Sequence, residues 1–403
     1  MYPEERYAQA VKARELYVAR IGDVAVGYAA VKIRDFDWSG MVRRKVMFID
    51  EVCVEQSFRN HGIGQKMTGA VRGLWNRQSY KSLKKLLRTF DPSDTIVHVH
   101  GWSLALSPSI FAAASERGFP VALTCHDYEI DCPVRTYFNY RTNAMCRLKG
   151  MSARCLCTNC DKRSYAQKWY RIIRETVFYA CLKKCRLTLI YLSEFNKQII
   201  DKDLRIRADG YIVPNLIDIP KAEKIDFEKN RRYLFIGRMN PEKGASLFCE
   251  AVRKAGVQAD LIGAGAEYET LKAEYPEMTF HGWMTPEQML PVIRKTRCLI
   301  LPSVCYEGAP LTIPEMQCAY AMPCIVPAPS GAVGYIRHGE NGLIFESGNV
   351  DSLVSCIHQT KEDAVIRKMS DGCRENCDPG QYSSQVHTEK LLSVYEKILG
   401  ING

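Results

Sequence analysis

The sequence predicts an α/β protein with two doubly wound parallel-sheet domains, and three observations carry that prediction. From about residue 92 onward, short apolar runs alternate with longer amphipathic ones. Strands that are apolar throughout and separated by helices belong to parallel sheets covered on both faces. The alternation breaks once, at a charged stretch from Lys221 to Arg232, and then restarts. Two sheets are therefore expected, with ligands where the carboxyl ends of their strands face each other. A chain of 403 residues, 46% hydrophobic and 25% charged, can fill two such cores. That composition excludes a disordered tail, a collagen-like fibre and a disulfide mini-scaffold.

The elements follow in order. Thr95–His100 reads as a strand, Ser107–Glu116 as a helix and Pro120–Cys125 as a strand. A long helix is expected over Ser164–Lys184, then strands Leu187–Leu192 and Gly210–Pro214. After the charged linker come strand Tyr233–Ile236, helix Ala245–Ala255, and strands Ala259–Ile262 and Thr279–Gly282. Helix Pro286–Lys295, strand Cys298–Leu301, helix Leu311–Tyr320 and strand Cys324–Val326 complete the second alternation. The last helix, Thr388–Leu399, is long enough to pack back across the cleft. Residues 1–75 follow another pattern: two strands over Glu15–Ile33 with a turn at Gly22-Asp23, then Val46–Val54, then a helix over Lys66–Trp75.

Charge narrows the partners. The net charge is +10, and the stretch Arg135–Arg174 holds ten Lys/Arg against a single acid, Asp161, with aromatic residues interleaved. A second basic stretch, Arg72–Arg88, has no acid and spaces Leu83, Leu86, Leu87 and Phe90 along one helical face. Such surfaces are either solvated helix faces or attractors for anionic headgroups and acceptors. No helix-turn-helix, RNP or finger spacing supports nucleic acid. No apolar run approaches the roughly 18 residues of a membrane span. Met1–Lys12 is charged, without the apolar core of a signal peptide. The expected location is the cytoplasm, peripheral on the inner face of the membrane.

Three features of the second half converge on one chemistry. The strand-loop-helix Phe235–Gly244 places Gly237, Arg238 and Lys243 at the mouth of the cleft, where two fixed cations suit a departing diphosphate. Glu307 and Glu315 flank Gly308-Ala309-Pro310-Leu311; a carboxylate at a helix start can accept two ribose hydroxyls, and the loop amides can hold phosphate. An ordinary helix-capping acid is the alternative for Glu307. Across the cleft, Thr124-Cys125-His126-Asp127 ends a strand of the first domain, where His126 is either structural or catalytic.

This ordered set resembles glycosyltransferase family 4, of GT-B fold, over about residues 80–400. The resemblance includes HVHGW at His98–Trp102, LTCHDYEIDCP at Leu123–Pro133, YLSEFNK at Tyr191–Lys197, IVPNLID at Ile212–Asp218, FIGRMNPEKG, the Glu307/Glu315 pair and NGLIF at Asn341–Phe345. It implies two Rossmann-like domains and a retaining, metal-independent transfer from a nucleotide-diphosphate sugar to a glycan or lipid-linked acceptor of surface polysaccharide. Arg238 and Lys243 would hold the diphosphate, Glu315 the ribose, Glu307 with Gly308–Leu311 the sugar, and His126 would face that sugar. The implied organisation is an N-terminal domain over 76–220, a nucleotide-sugar domain over 221–384 and a returning helix over 385–403. This chain departs from the pattern in having Gly331-Ala332-Val333-Gly334-Tyr335 where the family often carries an acid. The first strand and Gly-rich loop are also missing, so the first domain is expected to be truncated.

Tyr17–Val31 and Phe48–Met67 resemble the central part of a GNAT-type acetyltransferase, in which Arg59, Gly62 and Gly64 would wrap the diphosphate of acetyl-CoA. Acetyl transfer is thus one alternative function, and a non-catalytic nucleotide-binding scaffold is another. Of the seventeen cysteines, Cys249, Cys298, Cys318, Cys324 and Cys356 sit singly in apolar elements and are expected as buried thiols. Cys132, Cys146, Cys155, Cys157 and Cys160 crowd one segment and offer enough thiolates for a structural zinc; reduced thiols are the alternative.

Overall fold

The computed structural model describes the backbone of residues 16–21, 24–36 and 44–54, and residues 70–103, 106–217, 219 and 225–400 in full. The second domain holds six strands: β10 (Arg232–Ile236), β11 (Gln258–Ile262), β12 (Thr279–Gly282), β13 (Thr296–Ile300), β14 (Cys324–Ala328) and β15 (Gly342–Glu346). Their order is β12-β11-β10-β13-β14-β15 and every pair is parallel. This is the Rossmann-like order, and it reverses between β10 and β13, which opens a crevice at the carboxyl ends of those two strands. The loops that leave β10 and β13 are the two that carry the expected donor residues.

The first sheet is built differently. Its strands are β1 (Leu16–Ile21), β2 (Val24–Phe36), β3 (Arg44–Val54), β4 (Thr95–Val99), β5 (Val121–Thr124), β8 (Leu187–Tyr191) and β9 (Asp209–Ile212). A short hairpin, β6 (Phe138–Asn139) with β7 (Ala144–Met145), stands outside it. The sheet order is β1-β2-β3-β4-β5-β8-β9. The three N-terminal strands, which the sequence pattern sets apart, continue this sheet. β3 runs parallel to β4 in the register Lys45↔Thr95 to Ile49↔Val99, on the edge of β4 where an earlier strand of the domain was expected to be missing.

Strands β3, β4, β5, β8 and β9 are thus laid down in chain order in one direction. Right-handed crossovers then place every connecting helix on the same face. Helices Arg77–Leu86, Ser109–Ser115, Tyr165–Leu182 and Glu194–Asp203 all contribute to one core, with Val97, Val99, Val121, Leu123, Leu187 and Leu189. The opposite face carries Ile96, Ala122 and Ile190, and no crossover helix among the described residues covers it. The final helix, Ser384–Leu399, returns to do so through Leu391, Val394 and Tyr395. Tyr395 also reaches His98, whose Nδ1 lies 2.6 Å from the tyrosine hydroxyl, while His98 Nε2 lies 2.7 Å from Thr124 Oγ1.

The segment between β5 and helix Tyr165–Leu182 binds the domains together. Phe138 is buried in the core of the second domain, and Tyr140 packs against both cores. One cysteine expectation is corrected: Cys318 is bonded to Cys377, 59 residues away, rather than being a thiol. Their Cα atoms are 5.4 Å apart, within disulfide reach. Cys249, Cys298, Cys324 and Cys356 are free and buried, as expected.

Burial, followed by the neighbouring His100, His126 and His387, holds the pKa of His98 well below the ordinary 6.5. The native state therefore resists a proton that the unfolded chain accepts. Stability should fall as pH drops below about 6.5, with a slope of at most roughly 1.4 kcal/mol per pH unit from this group. Urea midpoints measured between pH 7 and pH 5 check this. His98→Gln should flatten that part of the profile, and an unchanged slope would exclude His98 as its source.

Candidate active site

The crevice between β10 and β13 is held by close backbone approaches. Gly244 has φ +70°, and a Cβ there would sit 2.0 Å from Pro302 O, so only glycine lets the two loops meet. The Val304 amide donates to Glu242 O at 3.1 Å. This juxtaposition brings Lys243 Nζ to 2.6 Å from Glu307 Oε1, which also accepts from Ser303 Oγ at 2.7 Å. Both bonds use the same carboxylate oxygen. Burial would lower the Lys243 pKa, but Glu307 more than offsets that, and the net direction is upward. The ammonium therefore stays charged. Arg238 is exposed at the same mouth and near enough to Lys243 to act on its titration.

Beyond Glu307 the chain runs through Gly308, Ala309, Pro310 and Leu311, all half-buried, into helix Thr312–Tyr320. The amides of Gly308, Ala309 and Leu311 donate to no carbonyl among the described residues. Glu315 lies in the first turn, half-buried, with no partner for its carboxylate among the described residues; burial raises its pKa. The Gly331–Tyr335 stretch forms a 3₁₀ turn whose first amide donates to Glu307 O at 2.8 Å. Lys243 and Glu307 are thus in contact with Arg238 nearby, and Gly308–Leu311 lead from Glu307 towards Glu315 in the following helix.

The first domain faces this crevice. Ser193 Oγ donates to Gly308 O at 2.5 Å. Tyr306 stacks among Tyr128, Tyr137 and Phe195, with ring centroids 5.4–6.1 Å away. His126, two residues before Tyr128, is exposed at the end of β5, with Nε2 2.8 Å from His100 Nδ1. It borders a cleft of the first domain lined also by Trp102, Asp127, Glu129 and Arg135. Arg135 donates to Asp127 at 2.5 Å, and Glu129 accepts from buried Arg174 at 2.6 Å. Ser193 and Ser303 were not singled out from the sequence. A serine closing an apolar strand just before a helix, as in Tyr191-Leu192-Ser193, was the available signal for the first.

The cysteine segment does not converge on a metal. Among the described residues, no three His, Cys, Asp or Glu are arranged to hold an ion. Cys157 is exposed, and Cys132, Cys155 and Cys160 are buried, with Cys146 half-buried. The ammonium of buried Lys168 bonds Cys160 and the carbonyls of Cys155 and Thr158. A fixed ammonium among these sulfurs, where burial raises the pKa of Cys132, Cys146 and Cys160, disfavours a cation there. Arg59, Gly62 and Gly64 lie outside the described residues.

Two facing Rossmann-like domains, with a polar crevice at the strand-order reversal, define the GT-B class of fold. Residues 230–363 match the family model described as glycosyl transferases group 1, and residues 1–83 match that of the acetyltransferase (GNAT) family. A curated relative from Escherichia coli, UDP-Gal:alpha-D-GlcNAc-diphosphoundecaprenol alpha-1,3-galactosyltransferase, is 26% identical over 53% of this chain and 60% of its own length. Lipopolysaccharide 1,6-galactosyltransferase of Salmonella typhimurium is 28% identical over 44% of this chain and 53% of its length. The chain therefore spans only between half and two thirds of these relatives. Among solved structures, sucrose-phosphate synthase from Thermosynechococcus elongatus superposes with TM-score 0.57 at 15% identity, covering 81% of this chain and 80% of that one. Anabaena HepE in complex with UDP-glucose gives TM-score 0.52 at 15% identity, covering 78% and 82%.

The Gly331 approach can be tested. A Cβ there would lie 2.2 Å from Gly308 O and 2.7 Å from Glu307 O, whereas at Gly334 it would meet nothing within 4 Å. Gly331→Ala should displace the Glu307–Leu311 loop, with overpacking of about 1–3 kcal/mol, and weaken nucleotide binding. Gly334→Ala should not. Calorimetric titration of both variants decides, and equal affinities would remove this loop from the binding site.

Proposed function

We propose that the protein is a retaining glycosyltransferase that moves a sugar from a nucleotide-diphosphate donor to a glycan or lipid-linked acceptor of surface polysaccharide. The observation that carries this reading is the pairing of Lys243 with Glu307 at the strand-order reversal, beside exposed Arg238 and unpartnered Glu315. Charge develops on the diphosphate as the glycosidic bond breaks, and two fixed cations stabilise that charge more than they stabilise the ground state. In this reading Glu315, in the first turn of its helix, accepts the ribose hydroxyls. Glu307, with one oxygen committed to Lys243 and Ser303, keeps the other for the sugar. In this reading His126, exposed at the end of β5, would face the donor sugar from the first domain. The galactosyltransferase relatives support sugar transfer and a lipid-linked acceptor. Peripheral contact with an anionic membrane surface belongs to the same reading.

The GNAT match over residues 1–83 favours a second reading, acetyl-CoA binding at Arg59, Gly62 and Gly64. A thermal-shift panel of UDP, GDP, ADP, their sugar conjugates and acetyl-CoA separates the two. A ligand at about 100 times its Kd adds roughly 2.7 kcal/mol to folding. One nucleotide and its sugar conjugate should raise the transition temperature, and a response to acetyl-CoA alone would overturn the transfer reading. With the donor so identified, Lys243→Ala should lower kcat by about 10²–10³-fold, in the range lost when a transition-state donor is removed. Donor-hydrolysis kinetics measure it, and unchanged turnover would exclude Lys243 from the leaving-group site.

A further inference from the structure

Among the described residues, six large hydrophobic side chains are exposed, and four lie on two touching helical segments. Tyr170, on helix Tyr165–Leu182, donates its hydroxyl to Ala70 O at 3.0 Å, and a Cβ on Gly73 would meet that hydroxyl. Either side of this contact stand Val71, 64% exposed, and Trp75, 37%, and on the partner helix Trp169, 43%, and Ile173, 50%. Each pair is spaced i, i+4, so each forms a short apolar ridge on its own segment.

Among the described residues that adjoin these ridges in sequence, the exposed charges are all basic. Helix Arg77–Leu86 and the turn after it bury Leu83 and Leu87 in the core of the first domain. The outward face then carries Arg77, Lys81, Lys85 and Arg88, a stripe along the helix with all four residues exposed. None of the four enters an ion pair among the described residues; Lys84, between them, is the one that pairs, with Glu116. No acid occurs between residues 70 and 90. Beside the second ridge, Lys162 and Arg163 are exposed at the start of the long helix.

We propose that these two helices form a docking surface for an anionic lipid bilayer. Tryptophans set among lysines and arginines match the interface of such a membrane, where indole rings sit at headgroup level and basic side chains meet lipid phosphates. A soluble polyanion would use the basic stripe, but it would gain nothing from Val71 and Ile173 standing in water. No described helix is long and apolar enough to cross a membrane, so the contact is peripheral. The inference rests on the transfer reading only in giving that cleft a membrane-borne acceptor; the surface itself is argued from its own residues.

Co-sedimentation of the full chain with phosphatidylcholine vesicles, with and without phosphatidylglycerol, tests it. Binding is expected only with the anionic lipid, weakening as salt rises. Arg77→Gln/Lys81→Gln/Lys85→Gln/Arg88→Gln should reduce partitioning by about tenfold or more, since each basic group near the surface contributes severalfold. Trp169→Ser/Ile173→Ser and Val71→Ser/Trp75→Ser should reduce it as well, whereas Trp283→Ser, exposed elsewhere, should not. All changed side chains are exposed, and circular dichroism confirms that the variants fold. Equal binding to neutral and anionic vesicles overturns the proposal. So does loss on removing charge but not the apolar ridges, together with equally tight binding to single-stranded RNA. Vesicle binding that survives while no nucleotide shifts the melting transition would sink the transfer reading and leave this surface standing.

Discussion

The site depends on one constraint, the reversal of strand order between β10 and β13. Two parallel strands whose connections leave in opposite directions cannot cover the gap at their own carboxyl ends, so the loops there are the groups that must fill it. Here they fill it with Gly237–Gly244 and Pro302–Leu311. Polar contents follow from that geometry: Lys243 and Glu307 face each other because their loops do, and Glu307 helps keep the half-buried Lys243 ammonium charged. Tyr306, one residue from Glu307, carries the constraint into the other domain by packing against Tyr128, Tyr137 and Phe195.

Much of this was legible in the sequence because parallel strands are apolar without interruption. The second domain's alternation located β10 to β14 within one or two residues, and helix Ala245–Ala255 at both ends. Its motif glycines and charges fall on the loops that leave β10 and β13, at the strand-order reversal. Less legible were the helices Glu194–Asp203 and Tyr268–Glu274, whose mixed polar surfaces dilute the period. Strand β15 and the helices Val350–Gln359 and Asp363–Asn376 were also missed, since no tight loop motif marks them. Pairing between distant segments has no local trace at all. The Cys318–Cys377 bond, the junction of β3 with β4 and the seat of Phe138 in the far core all belong to that kind. Lys168 was read as part of a solvated basic run, whereas its ammonium is taken up by two carbonyls and Cys160.

The first domain also stores charge where little solvent reaches. Glu175 is fully buried with neither oxygen bonded, and burial, then the neighbouring Glu129, favour its neutral form. Glu129 keeps Arg174 and lies near Arg135, so the floor of the cleft by His126 is a compact set of opposed charges. Such a set resists rearrangement, because separating one partner leaves the other unpaired in a poor solvent.

The bare face of the first sheet has a consequence for how the chain comes into being. Strands β1 to β9 pair with near neighbours in sequence, so that sheet can assemble as it leaves the ribosome. Its cover, Leu391, Val394 and Tyr395, is synthesised only after the whole second domain. Throughout that interval Ile96, Ala122 and Ile190 stand open to water and to other nascent chains. A newly made molecule therefore exposes that apolar face until helix Ser384–Leu399 docks, and a chain stalled before that helix would present it to chaperones.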